Sequence, residues 1–425
     1  MSRADGTGRT ISGTCLCSNS GTGCSSMDKL PRVCVVSPLY HPHLGGVGRQ
    51  AVALTEKLHA AGVRLFVICR NIPGLPDWEP AQDIEVRRLP AFGSRKHDLE
   101  EKTLGNMLIS LSFCLNLLLA LFRYRNEYDL VHFHGASLPL IFSVMPLKLM
   151  RKKIVAKVAG AKMKIEAGSF RGAYLFLGDI FIRILRRVDA FVAISSEIRD
   201  DLLKDGFDPA VIHEIPNFIL PGQFHPLHDP DARERLKKGL GIDSADRALT
   251  FSGRLVKRKR VDVLLGAMAE VLRRRSDVVL IVLGQGEMKA GLENMARSLG
   301  IQDRVVFRNF VPNILDYLHI TDIFVFPSGK EGLPNALLEA MACSLPVIAS
   351  RIGGVTDIVK DRENGLLVAP GDQQELGKAI LELLDDELLR RNLAANAAET
   401  IRSGYGIESI APRYLDLYRK AAYEV

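Results

Sequence analysis

The sequence predicts an α/β protein made of two doubly wound domains that face one another across a cleft, and three observations predict it. Short β-branched runs alternate with longer stretches of helical period, the pattern of parallel strands joined by covering helices. That series restarts after Asn217-Phe218. The length of 425 residues is enough for two domains, each burying its own core.

Met1 to about Leu30 is rich in Gly, Ser and Thr and lacks the apolar run of a secretory signal. It reads as a disordered tail, or as an upstream extension of a chain that starts at Met27. The first series then gives a strand at Val33–Ser37, a glycine loop at Gly45–Gly48, a helix at Arg49–Ala61 and a strand at Leu65–Cys69. Strands follow at Asp129–Phe133, Ile154–Val158 and Ala190–Ile194. Leu220 to Pro230 has the composition of a linker. The second series gives strands at Ala248–Ser252, Val278–Leu283, Arg304–Phe307, Ile323–Pro327, Pro346–Ala349 and Gly365–Val368. Its helices are Val261–Arg274 and Glu287–Leu299. A last helix, about Ile407–Tyr423, could cap its own domain or cross back to the first. No fixed-period repeat is present, so a solenoid is excluded.

Cys34, Cys69, Cys114 and Cys343 lie within apolar runs and suit reduced core thiols of the cytosol. The net charge of +7 is uneven: Lys102 to Val188 holds 14 Lys and Arg against 4 Asp and Glu, leaving −3 for the rest. Two readings fit this excess, a solvated basic face and a surface that meets phosphate or anionic lipid. Nucleic acid is disfavoured, because no aromatic stacking set interleaves with the cations. Leu104 to Phe122 is nearly long enough to span a bilayer. Its polar residues Asn106, Ser110, Ser112 and Asn116 fall on one arc of about 160°. The expectation is a helix packed on the sheet and touching a membrane surface, not a span.

The chemistry centres on Glu331-Gly-Leu-Pro-Asn-Ala-Leu-Leu-Glu339, which follows an apolar strand and opens a helix with Pro334 near its first position. Free N–H groups between Leu333 and Ala336 would face an anion, aided by the helix dipole. Glu331 and Glu339 bracket that N-terminus at a separation on the order of 10 Å. Carboxylates accept well from sugar hydroxyls and repel phosphate, which suits a ligand with hydroxyls at both ends and a diphosphate between. Gly332, Leu333, Pro334, Asn335 and Glu339 are therefore candidate binding residues, and Glu331 a candidate catalytic one. Arg254 and Lys259 follow the second domain's first strand and suit a departing diphosphate. Lys257 and Arg258 suit a solvated loop better. Gly45 and Gly46 allow close backbone approach to phosphate or sugar. Gly284-Gln-Gly286 fails the dinucleotide fingerprint, because residue 289 is Lys. His132 and His134 point to one face of their strand; His134, at its carboxyl end, is the candidate catalytic residue and His132 a packing residue.

Taken together, these pieces resemble the retaining GT-B glycosyltransferases of glycosyltransferase family 4, the glycosyl transferases group 1. The resemblance also rests on Val131-His-Phe-His-Gly135, Ile215-Pro-Asn217, Leu283-Gly-Gln-Gly286, Asp303-Arg-Val-Val-Phe307, Ala340-Met-Ala and Gly353-Gly-Val-Thr-Asp-Ile-Val359. It implies two Rossmann-like domains, an acceptor domain over 31–219 completed by 407–425 and a nucleotide-sugar domain over 220–406, behind the 1–30 tail. It implies that Arg254 and Lys259 hold the donor diphosphate, Glu331 the transferred sugar and Glu339 the ribose. The amides of Leu333 and Asn335 would hold phosphate and sugar, with Gly46 near the phosphate and His134 near the sugar. Phe310-Val311 would line the base pocket. Attack would come from the front face, with no metal and no cofactor beyond the nucleotide sugar, UDP-sugar being favoured over GDP-sugar. The acceptor would be a glycan, carried or not on a lipid diphosphate, met in the cytoplasm or at the inner face of the membrane. Three departures stand out: Arg260 and Phe218 where glycines are common, and Lys157 to Lys164 where a His-containing strand end is usual. A nucleotide-sugar epimerase of the same architecture and a non-catalytic binding protein are the alternatives.

Overall fold

The computed structural model describes residues 30–41, 46–71, 74–81, 83–92, 104–158, 177–220, 222–309, 311 and 313–423. The 1–29 tail with its cysteines, Gly45, Phe310 and most of the Lys157–Lys164 stretch lie outside the described residues.

In the first half the order is β1 (Val33–Ser37), α1 (Gly46–Ala60), β2 (Leu65–Arg70), β3 (Trp78–Ala81), β4 (Ile84–Leu89), α2 (Leu104–Arg123) and β5 (Leu130–His134). It continues with α3 (Leu138–Leu149), β6 (Lys153–Val158), α4 (Leu177–Leu185), β7 (Ala190–Ala193), α5 (Ser196–Lys204) and β8 (Ile212–Glu214). These strands form one eight-stranded sheet, β3-β4-β2-β1-β5-β6-β7-β8. The second half runs α6 (Pro230–Leu240), β9 (Arg247–Ser252), α7 (Val261–Leu272), β10 (Val278–Leu283), α8 (Lys289–Ser298), β11 (Val305–Arg308) and α9 (Ile314–Ile320). Then come β12 (Ile323–Phe326), α10 (Asn335–Ala342), β13 (Val347–Ser350), α11 (Gly353–Thr356), β14 (Leu366–Val368), α12 (Gln373–Asp385), α13 (Glu387–Gly404) and α14 (Ile407–Tyr423). Its sheet is six-stranded, β11-β10-β9-β12-β13-β14.

Every paired strand is parallel except β3, which runs antiparallel to β4 at the edge. The interior strand β10, Val-Val-Leu-Ile-Val-Leu, is buried along its whole length, as a strand with helices on both faces must be. β4 alternates buried and half-buried residues instead. The sequence predicts no strand between Cys69 and Asp129, and β3 and β4 correct that. α1 also starts earlier than expected, so Gly46 and Gly48 form its first turn and not a loop. Pro334 is the N-cap of α10 (φ −78°, ψ 114°), next to the first helical residue, Asn335.

α14 crosses to the first sheet: Ile410, Tyr414, Leu417 and Tyr418 join one core with Val33, Val35 and Leu54. The two chain crossings lie side by side, with Ile219 N–H donating to the Tyr405 carbonyl at 2.7 Å and Ile407 N–H to the Ile219 carbonyl at 3.0 Å. Next to them the Gln50 amide exchanges two hydrogen bonds with the Phe218 backbone, at 2.8 and 3.2 Å. Cys34, Cys69, Cys114 and Cys343 are free and buried, as expected of core thiols.

Candidate functional site

β12 ends at Phe326 and delivers the chain into the turn that carries Glu331. Glu331 is 8% exposed, and its Oε1 lies 2.8 Å from Lys259 Nζ and 3.0 Å from an Arg258 guanidinium nitrogen. Lys259 reaches it from a 3₁₀ turn, Lys257–Lys259, on the loop after β9. Its amine sits 4.6 Å over the Phe326 ring. Burial lowers the Lys259 ammonium from its usual range, Glu331 opposes that shift, and the charges of Arg258 and Arg254 add to it. Arg254 is half-buried on the same loop. Arg258 is therefore a partner of the site and not merely a solvated cation.

The loop is held close by its glycines. A Cβ on Gly354, in the first turn of α11, would come within 1.4 Å of the Gly332 carbonyl oxygen. Cβ atoms on Gly284 and Gly286 would meet the carbonyls of Gly253 and Leu255 at 1.9 and 2.3 Å. The Gly-Gln-Gly turn after β10 thus braces the Arg254 loop and makes no dinucleotide fingerprint.

Leu333 is buried and its carbonyl accepts from Asn217 Nδ2 at 3.2 Å. The same Asn217 nitrogen donates to Asn335 Oδ1 at 2.9 Å, and Asn335 Nδ2 donates to the Gly46 carbonyl at 3.3 Å. Asn335 and Ala336 lead α10, so their N–H groups have no intrahelical acceptor. Two buried acceptors nearby, Ser328 Oγ and Asn217 Oδ1, have no hydrogen-bond partner. One turn into α10, Glu339 is buried and pairs with Arg49 of α1 at 3.3 Å. Burial raises the Glu339 carboxyl, and Arg49 pulls it back. A cavity opens beside this pair, lined by Arg49, Gln50, Glu56, Phe218, Phe224 and Glu339.

Glu331, Gly332, Leu333, Pro334, Asn335, Glu339, Lys259 and Gly46 thus share one region. His134 ends β5 and is 2% exposed, its ring lies 4.3 Å from that of His132 at a tilt of 41°, and both its nitrogens lack hydrogen-bond partners. His132 packs, with Nδ1 2.6 Å from Tyr418 Oη. Burial holds both imidazoles below their usual range. Lys157 is opposite His134 on β6, buried, with its amine unpartnered. Val311 packs against the core of β10 and α9. Among the described residues no cluster of three His, Cys, Asp or Glu could hold a metal.

The sequence singles out neither Arg49 nor Asn217 as a site residue. Arg49 directly follows Gly45–Gly48 and Asn217 ends Ile215-Pro-Asn217, and each reaches its partner only across the domain boundary.

Residues 44–221 match the family described as Glycosyltransferase Family 4, and residues 232–400 the one described as Glycosyl transferases group 1. The N-acetyl-alpha-D-glucosaminyl L-malate synthase of Bacillus anthracis is 25% identical over 89% of this chain and 94% of its own. The lipopolysaccharide core biosynthesis glycosyltransferase LpsE of Rhizobium meliloti is 32% identical over 67% of this chain and 82% of its own. Among solved structures, HepE of Anabaena in complex with UDP-glucose superposes with a TM-score of 0.73 at 18% identity, covering 91% of this chain and 99% of that one.

Proposed function

Because this chain belongs to glycosyltransferase family 4 and is a glycosyltransferase of the GT-B fold, we propose that it moves a hexose or N-acetylhexosamine, with retention of configuration, from a nucleotide-diphosphate sugar to a glycan hydroxyl. The observation that carries this reading is the Glu331–Glu339 segment. A helix N-terminus lies between two buried carboxylates, and Lys259, Arg258 and Arg254 stand on the neighbouring loop.

The bound diphosphate takes the Asn335 and Ala336 amides and the Lys259 ammonium. Lys259 then exchanges part of its contact with Glu331 for phosphate oxygen, which frees that carboxylate for sugar hydroxyls. Ser328 Oγ and Asn217 Oδ1, both without partners now, take up polar groups of the donor. Glu339 holds the ribose hydroxyls. In the transfer the bond from the anomeric carbon to the phosphate oxygen breaks. The acceptor oxygen bonds to that carbon on the same face, and its proton passes to the departing phosphate. Cations around the phosphate stabilise its growing charge. No metal takes part in this scheme.

UDP is the favoured nucleotide, a choice supported by UDP-glucose in the HepE relative of the fold. The lipopolysaccharide role of the LpsE relative and the basic excess between Lys102 and Val188 support a lipid-diphosphate-linked acceptor in cell-surface polysaccharide or glycolipid synthesis, at the inner face of the membrane. A melting-temperature panel of UDP, GDP and ADP sugars tests the donor, since a ligand bound only by the native state raises the midpoint. A rise with UDP sugars alone supports the reading; no rise with any nucleotide sugar refutes it.

A further inference from the structure

α2 turns one stripe of leucines outward, while Leu117 and Leu121 enter the core. Leu108, Leu111, Leu115, Leu119 and Phe122 are 40–61% exposed. At 100° per residue they fall on one arc of about 80°. The stripe is about 20 Å long at 1.5 Å per residue.

The polar side of this helix is already used. Ser112 Oγ accepts from the Phe92 N–H at 2.9 Å, and Asn116 Nδ2 donates to the Pro90 carbonyl at 2.8 Å. The polar arc thus anchors the Pro90–Phe92 segment, and water is left facing the leucines. Phe92, on that segment, is itself 76% exposed.

α3 packs beside α2 and continues the pattern. Its Phe142, Met145 and Leu149 are exposed at helical spacing, Leu149 by 82%. α4 lies against α3 and adds Ile180. Adjacent helices with this much outward apolar surface exceed the scattered exposure expected of a soluble monomer.

The rim of this face is cationic. Arg123 and Arg125 follow the α2 stripe, Arg151 follows α3, and Arg183 and Arg187 lie at the end of α4, all exposed. A second copy docked by a twofold axis would set these like charges against their own images. Anionic headgroups would neutralise them while the leucines enter the acyl boundary. Among the described residues no helix is long and apolar enough to cross a membrane. The geometry therefore suits lying in the interface and not spanning it.

We propose that the outward face of α2 and α3, with its arginine rim, is the surface by which this protein docks on an anionic bilayer. The proposal deepens the reading of a membrane-borne acceptor but rests on its own residues.

Sedimentation with vesicles tests it, using phosphatidylcholine alone and phosphatidylcholine mixed with phosphatidylglycerol. Wild-type protein should sediment with the mixed vesicles and weakly with the neutral ones. Leu115→Gln with Leu119→Gln should weaken binding at least about tenfold, because buried apolar area is lost. Phe142→Gln with Leu149→Gln should do the same from α3. Arg123→Gln with Arg151→Gln should weaken binding and flatten its salt dependence. Each variant should keep the wild-type melting-temperature rise with a UDP sugar. That rise proves the fold and separates failure here from failure of the transferase reading. The proposal is overturned if wild type ignores anionic vesicles, or if both apolar double variants bind as wild type does. It is equally overturned if the same leucine changes abolish a dimer while no vesicle binding exists.

Discussion

Arg49 of α1 holds Glu339 of α10 at 3.3 Å across the boundary between the two domains. The carboxylate proposed to read the ribose therefore already has a cationic partner, supplied by the other domain. Arg49 is 45% exposed by its side chain whereas Glu339 is 6% exposed, so the pair is lopsided. Its removal strands the buried member.

Arg49→Gln should lower the melting temperature of the unliganded protein, since Glu339 is left buried without its cation. The ribose hydroxyls of a bound nucleotide would then relieve it. The UDP-induced rise should exceed that of wild type, with affinity tighter by up to about fivefold, the scale of a half-exposed ion pair. Equal rises in both proteins would remove Arg49 as a competitor for this site.

Lys157 gives a pH prediction. Burial pushes its ammonium down to about 7, from a usual 10.5. Between these values the unfolded chain holds a proton that the folded one lacks, so this group makes stability rise with pH through that window. Below about 7 both states are protonated and the penalty is complete; above 10.5 it vanishes. Lys157→Met should therefore stabilise the protein most at neutral pH and below. The difference from wild type should shrink by up to ~1.36 kcal/mol per pH unit toward pH 10. Urea midpoints of the two proteins across pH check this, and a constant difference would contradict it.

Arg260 stands in a left-handed conformation, φ 51° and ψ 39°. A side chain in that region costs about 1–2 kcal/mol, part of which glycine gives back as unfolded-state entropy. Arg260→Gly should stabilise by up to about 1 kcal/mol in denaturant titration. A loss of similar size would mean that the guanidinium's ion pair with Asp262 outweighs the strain.

Much of this fold was legible. β10, Val-Val-Leu-Ile-Val-Leu, is an unbroken apolar run rich in β-branched residues, and the helix-opening segment at Glu331–Glu339 declares itself by its spacing. β3 and β4 were not legible. β4 carries Glu85, Arg87 and Arg88 among its six residues, and β3 carries Pro80 at an edge, so neither resembles a buried strand. The Glu331–Lys259–Arg258 contact was not legible either, because a carboxylate and two cations in separate motifs do not announce that they meet. The exposure of the α2 leucine stripe was not legible for a related reason. Hydrophobic period marks one face of a helix, but only packing tells which face the sheet covers. Here the Pro90–Phe92 segment claims the polar arc.

The most direct test of the account is UDP release from the UDP sugar giving the largest melting-temperature rise, compared among wild type, Glu331→Gln and Lys259→Ala. Each variant should keep the wild-type circular dichroism and lose about 10²- to 10³-fold in turnover, the usual consequence of removing a charge that meets the transition state. Wild-type rates in both variants would contradict the site.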